Sequence, residues 1–185
     1  MARGTAHSVR IIGGRWRNTR IPVAARDELR PSGDRVRETL FNWLAPWLPG
    51  ARCLDLFAGT GVLGFEALSR GAAHCTFVER DPCAVMALEA LRDRLAADGA
   101  DIRRAEVREH LRGVPTPCDI VFIDPPFHQG LVAEVLPRLA AGWLAPGARV
   151  YVECERGLKF DTGTLTPHRE GHTQQVTYRL LEASG

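Results

Sequence analysis

The chain has 185 residues, with 24 Lys and Arg against 22 Asp and Glu for a formal net charge of +2. That length buries a core in one domain, or in one domain with an extension. No apolar run approaches the ~20 residues of a membrane span, and no apolar stretch follows Met1-Ala2-Arg3-Gly4-Thr5 as a signal peptide requires. His7 to Ile12 reads as a strand, Gly13 to Asn18 as a turn and Arg20 to Val23 as the return strand of a hairpin. Ser32 or Asp34 caps a helix running to about Trp47, with Val36, Leu40, Phe41, Trp43, Leu44 and Trp47 on one wide apolar face. Pro49-Gly50 ends that helix and marks a join. The expected division is a basic extension over residues 1–50 and a catalytic domain over residues 51–185. Residues 1–50 carry nine Arg against four acids, a charge of +5, and the remainder carries −3. A basic arm on a mildly acidic body points to a polyanion at its N-terminal end. Trp16, at the tip of the hairpin, either stacks on a base or packs on the catalytic domain.

From residue 51 the pattern alternates. Cys53 to Phe57 is a buried strand that opens into a glycine loop, and Val62 to Arg70 is the helix after it. Ala73 to Val78 is a second strand, with Glu79 at its end. Pro82 to Ala97 is a helix with Met86, Leu88, Leu91 and Leu95 turned inward, and Ile102 to Ala105 is a short strand. Ile120 to Ile123 is a buried strand closed by Asp124-Pro125-Pro126-Phe127. Leu131 to Ala140 is a helix, Gly147 to Cys154 a strand, and Leu165 to Glu170 with Gln175 to Leu181 a closing hairpin. The order implies an α/β fold: a Rossmann-like, seven-stranded, mostly parallel sheet with one reversed strand near its end. The five cysteines (Cys53, Cys75, Cys83, Cys118 and Cys154) form no C-x-x-C pair, so they read as reduced thiols rather than metal ligands or disulfides. The six histidines form no ligand cluster, and no metal is expected.

Two strand ends carry the chemistry. Parallel strands of an open α/β sheet end at one edge, where ligands bind. In Asp55-Leu56-Phe57-Ala58-Gly59-Thr60-Gly61 the glycines let backbone approach a ligand, and Glu79 can accept from both hydroxyls of a ribose. This suits NAD as well as S-adenosylmethionine. An acid beside the loop repels a pyrophosphate but suits a cationic amino-acid moiety, so Asp55 favours the latter. At the other strand end, Asp124 and the Pro125 carbonyl are acceptors for a planar amine, the prolines stiffen the turn, and Phe127 can stack on a base. An exocyclic amine is a poor nucleophile because its lone pair is delocalised. Hydrogen bonds to two acceptors favour localising it, and a methyl sulfonium then needs no covalent enzyme intermediate. The proton can leave to water, so no dedicated base is required. His128 follows Phe127 directly and could face substrate.

Several segments together resemble the bacterial 16S ribosomal RNA guanine-N2 methyltransferases of the RsmD family, nearly end to end. They are Arg10-Ile11-Ile12-Gly13-Gly14, Leu29-Arg30-Pro31, Asp34 to Trp43, Asp55 to Gly61, Glu66 to Arg70, Asp124 to Phe127, Tyr151-Val152-Glu153 and Tyr178-Arg179-Leu180. The resemblance implies a class I S-adenosylmethionine-dependent methyltransferase acting on guanine 966, in the family's usual ribosomal RNA numbering. It implies 16S ribosomal RNA or an assembling small subunit as the partner; composition adds the expectation of a cytoplasmic protein, and a monomer is expected. The expected catalytic residues are Asp124, Pro125, Pro126 and Phe127. The expected cofactor residues are Asp55, Phe57, Ala58, Gly59, Gly61, Glu79, Arg80, Glu106 and Val107, with Glu106 standing where the family commonly has Asn or Asp. RNA contacts are expected from Arg10, Arg15, Trp16, Arg17, Arg20 and Arg35. Adenine-N6 methylation of DNA or RNA, and a non-catalytic RNA-binding assembly factor, remain as alternatives.

Overall fold

The computed structural model describes residues 8–23 and 33–185; His7, Ser32 and the Leu29-Arg30-Pro31 segment lie outside them. The hairpin consists of β1 (Ser8–Arg10) and β2 (Arg20–Pro22), paired antiparallel with Arg10 opposite Arg20. Helix α1 (Gly33–Leu44) buries Val36, Leu40, Phe41 and Leu44, spaced as one helical face requires. It tightens into a 3-10 turn at Ala45–Trp47, because Pro46 has no N–H to continue the helical ladder.

The body alternates strand and helix: β3 (Arg52–Asp55), α2 (Val62–Ser69), β4 (His74–Glu79), α3 (Pro82–Leu95), β5 (Ala100–Arg104), α4 (Val107–His110), β6 (Cys118–Ile123), α5 (Leu131–Leu139), β7 (Leu144–Glu155), β8 (Thr166–His172) and β9 (Val176–Glu182). The sheet order is β5-β4-β3-β6-β7-β9-β8. All pairings from β5 to β7 are parallel, and β9 runs antiparallel to both of its neighbours. This is the seven-stranded sheet with one reversed strand that the alternation predicted. The chain steps outward from β3 through β4 to β5, then returns to lay β6 on the other side of β3. That reversal opens a crevice at the carboxyl ends of β3 and β6.

Both sheet faces are covered, so the central strands are apolar on both sides. Cys53, Phe77, Phe122 and Tyr151 pack with α1, α2, α3 and the hairpin. Leu54, Val78, Val121, Ile123 and Val152 pack with α4 and α5. Helix α1 crosses the first face: Arg37 lies 4.0 Å from Glu66 of α2, the Phe41 ring 6.0 Å from Phe122 of β6, and the Trp43 ring 5.5 Å from Tyr178 of β9. Asp81 caps α3 by accepting from Cys83 N at 2.7 Å and Ala84 N at 3.2 Å. Met86, expected to face inward, is 69% exposed, while Val85, Leu88 and Leu91 face the core. Two residues turn a helix by about 200°, so a position two before Leu88 lies on the opposite face. The four-residue helix α4 was not expected from the sequence, and β7 begins at Leu144 rather than Gly147.

Candidate active site

The crevice is lined by the two strand ends. The loop after β3 is tied to its neighbours by Leu56 N donating to Phe122 O at 3.1 Å and Ala58 N to Val78 O at 3.1 Å. Gly61 has a φ of 75°, and a Cβ there would lie 2.4 Å from Leu88 Cδ2, so only glycine fits both the turn and the packing of α2 on α3. Asp55 is 1% exposed and accepts from Gly64 N at 3.2 Å and from the Phe57 amide. Burial raises its pKa to about 7, the two backbone donors oppose that rise, and the Glu79 charge adds to it. The Asp55 carboxylate is thus directed at the amides of its own loop, where it holds the loop against the start of α2.

Glu79 ends β4 beside the loop. Its two oxygens accept from Gly59 N and Asp81 N, each at 2.8 Å. These bonds fix the carboxylate at the lip of the crevice and leave it lone pairs for a diol. Next to it Arg80 donates to Glu106 at 2.9 Å, joining the ends of β4 and β5, and that bond raises the Arg80 pKa. Val107 is buried beneath Glu106, while Phe57 and Gly59 are half-exposed and Ala58 is buried. The residues present fit an adenosine-bearing cofactor: Glu79 for the ribose, the Phe57 to Gly61 backbone for close approach, and Glu106 and Val107 at the side where a base would lie.

Across the crevice, Asp124 follows the last residue of β6, Pro125 is buried, Pro126 is exposed, and Phe127 is half-buried. His128 has a left-handed φ of 61° and an 81% exposed side chain. Its N–H donates to Glu155 Oε1 at 3.3 Å, which pins the turn to the end of β7. The structure therefore gathers every expected catalytic and cofactor residue along one sheet edge. Among the described residues, no group of three or more His, Cys, Asp or Glu is placed to hold a metal ion, and no helix is long and apolar enough to cross a membrane.

The expected RNA contacts are not gathered there. Arg15 N donates to Ser69 O at 2.9 Å and Trp16 N to Ser69 Oγ at 3.0 Å. Ser69 ends α2, which starts at the cofactor loop, so the hairpin tip sits about 12 Å of helix away, at the amino edge of the sheet. Trp16 is half-buried, with its ring 6.5 Å from Phe65 and Arg15 stacked over it at 3.9 Å. Arg15, Arg17, Arg20 and Arg35 are exposed, and Arg10 reaches Asp34 at 3.7 Å near the start of α1. The hairpin is clamped by Glu66, which is 0% exposed and accepts from Ile12 N at 2.7 Å, Gly13 N at 2.8 Å and Arg70 Nε at 2.7 Å.

Tyr151, Glu153, Glu155 and Glu66 carry no role that the sequence by itself assigns. The Tyr-x-Glu spacing at the end of a buried strand was the available signal for the first two, since it puts both side chains on one face.

Residues 9–182 match the family described as Conserved hypothetical protein 95. The ribosomal RNA small subunit methyltransferase D of Escherichia coli (strain K12) is 46% identical over 177 residues, covering 94% of this chain and 89% of that protein. The protein of the same description from Haemophilus influenzae is 41% identical over 184 residues, covering 94% and 93%. The solved structure described as a putative methyltransferase yhhF from Escherichia coli superposes with a TM-score of 0.89 at 44% identity, covering 97% of this chain and 99% of that one. With this coverage at this identity, and the crevice described above, the chain belongs to the ribosomal RNA small subunit methyltransferase D family.

Proposed function

We propose that this protein methylates the exocyclic N2 of a guanine in 16S ribosomal RNA, guanine 966 in the family's numbering, during assembly of the small subunit. Its family makes it an S-adenosylmethionine-dependent methyltransferase of small-subunit ribosomal RNA. The observation that carries the finer reading is the Asp124-Pro125-Pro126-Phe127 turn, set across one crevice from the Phe57 to Gly61 loop and Glu79. Two acceptors that favour localising an amine lone pair thus face a loop suited to the methyl donor.

S-adenosylmethionine supplies a methyl group on a cationic sulfur. Every other part of the chemistry falls to the chain. Glu79 holds the ribose, and Glu106 takes the adenine edge. Asp124 and the Pro125 carbonyl accept from the guanine amine, so that the nitrogen lone pair turns toward the methyl. Phe127 stacks on the base and keeps water from that side. Once alkylated, the amine is strongly acidic and gives its proton to water.

The RNA backbone lies on the basic extension. Arg10 and Arg35 serve near the start of α1, and Arg15, Arg17 and Arg20 serve along the hairpin, with Trp16 beside them. This spread suits a folded RNA or an assembling subunit better than a short strand. We place the protein in the cytoplasm, acting as a monomer.

The test is tritiated methyl transfer from S-adenosylmethionine to 16S ribosomal RNA and to 30S particles, followed by nucleoside analysis. N2-methylguanosine at one position is the expected product. N6-methyladenosine would move the reading to the other amine, and no label in either substrate would leave an RNA-binding factor.

A further inference from the structure

Strand β7 carries a second carboxylate to the catalytic edge. Ile123, the last residue of β6, pairs with Val152 on the neighbouring strand, about 4.8 Å away, so Asp124, just past β6, and Glu153, in β7, each follow one of two paired residues, and the charges of both act on the Tyr151 hydroxyl. Both side chains leave the same sheet face. Two positions below them, Phe122 and Tyr151 pair with each other and pack in the core under α1, and side chains two apart on a strand share a face. Tyr151 is 1% exposed, and its hydroxyl donates to Glu153 Oε2 at 2.8 Å. Burial drives the Tyr151 pKa well above its usual value, so the hydroxyl stays a donor and fixes the carboxylate from below. On the far side Tyr178 of β9 pairs with Glu153. The Tyr178 ring lies on the edge strand at Gly171, where a Cβ would come within 2.3 Å of it, and its centroid lies 5.5 Å from that of Trp43 at an interplanar angle of 30°. Glu153 itself is half-exposed.

Two carboxylates close together repel each other, and a donor placed between them lowers that repulsion. The Watson–Crick edge of guanine presents two adjacent donors, N2–H and N1–H. Adenine presents N6–H beside N1, a bare lone pair. A second acid next to Asp124 therefore matches guanine and sets acceptor against acceptor for adenine. We propose that Glu153, positioned by Tyr151, accepts the N1–H of the target base beside the Asp124 contact to its amine and so selects guanine over adenine. This assignment rests on the guanine-N2 reading and names the residue that makes it specific.

The probe is 2-aminopurine, which keeps the 2-amino group but has a lone pair at N1. Methylation is compared on 16S ribosomal RNA ligated to carry either guanine or 2-aminopurine at the target position, for wild type, Glu153→Gln and Tyr151→Phe. Wild type favours guanine by at least about 100-fold in kcat/KM, since sites built to hydrogen-bond a substrate N–H can reject an analogue lacking it by roughly 10⁴–10⁵-fold. In Glu153→Gln the amide offers a donor to N1, and the guanine preference falls to within about 5-fold or reverses. S-adenosylmethionine affinity by calorimetry is unchanged. Tyr151→Phe narrows the preference by a smaller factor, because the carboxylate is kept but loosened. Loss of the 6-oxo group lowers the rate of every variant alike, so the change in preference on substitution isolates Glu153. A wild type that methylates both RNAs equally well overturns the assignment without any variant, as does a Glu153→Gln protein that keeps the wild-type preference. A wild type that makes no N2-methylguanosine removes the guanine-N2 reading and this assignment with it, whereas normal guanine methylation with an unmoved preference removes this assignment alone.

Discussion

Glu66 joins the N-terminal hairpin to the cofactor-side helix, and removing it should cost the fold heavily. The side chain is 0% exposed, and its carboxylate accepts from the Ile12 and Gly13 amides and from Arg70 Nε, with Arg37 Nε at 4.0 Å. Arg37 is itself only 4% exposed, and burial lowers its pKa. In Glu66→Ala two backbone donors lose their acceptor, and the buried Arg37 charge loses one of the two acids beside it among the described residues, Asp34 remaining at 3.0 Å. Breaking one side of a buried pair costs about 3–5 kcal/mol, and Asp34, more than half exposed, recovers only part of that. We expect a loss of about 3 kcal/mol, a large share of the 5–15 kcal/mol typical of a domain. Urea unfolding should show a lower midpoint with an unchanged slope. Limited proteolysis should cut first between residues 8 and 23. Met86→Ala, at an exposed site on the same face's α3, is the control and should change stability by less than about 0.5 kcal/mol. A Glu66→Ala protein within about 1 kcal/mol of wild type would mean that Ile11 and Ile21, both buried in the shared core, hold the hairpin without the ionic clamp.

Asp124→Ala should lower kcat by orders of magnitude with S-adenosylmethionine affinity nearly unchanged, since its acceptor acts as the amine localises its lone pair; near wild-type turnover would remove it from the mechanism. Glu79→Ala should weaken the cofactor by roughly 1–3 kcal/mol in calorimetry, the scale of charge-assisted hydrogen bonds, and unchanged affinity would move the ribose elsewhere. Asp55 titrates near 3.8 when exposed and at about 7 in the fold. The folded chain therefore keeps a proton that the unfolded chain releases, and stability falls as pH rises from about 4 to 7. Asp55→Asn should flatten that part of the profile, gaining a few kcal/mol on wild type between about pH 4 and pH 8 in urea melts; parallel profiles would show that Asp55 titrates normally. Neutralising Arg15, Arg17 and Arg20 together should lower the slope of log affinity against log salt by about 0.7–0.9 for each phosphate left without its cation, the range from single strands to duplex, and an unaltered slope would make the hairpin a packing element only.

The elements that carry the chemistry were legible in one dimension. A strand buried on both faces must be a continuous apolar run, and Ile120-Val121-Phe122-Ile123 ends abruptly at Asp124-Pro125, where neither the apolar pattern nor the backbone donors can continue. The same logic exposed Asp55 with its glycines and Glu79 at the end of β4, and the strand–helix alternation then obliged these ends to share an edge. Periodicity alone also holds the exposed placing of Met86, which the angular spacing from Leu88 excludes from the core.

Contacts between residues far apart in sequence were not legible, because they depend on which strands become neighbours. Glu153 lies 29 positions after Asp124, and only the parallel docking of β7 on β6 brings the two carboxylates together. Glu66 reads as a polar residue on a helix, and only the hairpin folding back over α2 buries it and supplies the amides it accepts from. The Asp55 carboxylate looked free to meet a cation, yet the turn of the loop brings the Gly64 and Phe57 amides onto it. Composition likewise showed that the first 50 residues are basic, but the docking of the hairpin tip on Ser69 decided that much of this charge lies at the amino edge. Local pattern sets which residues each element presents, and the crossover connections set what they meet.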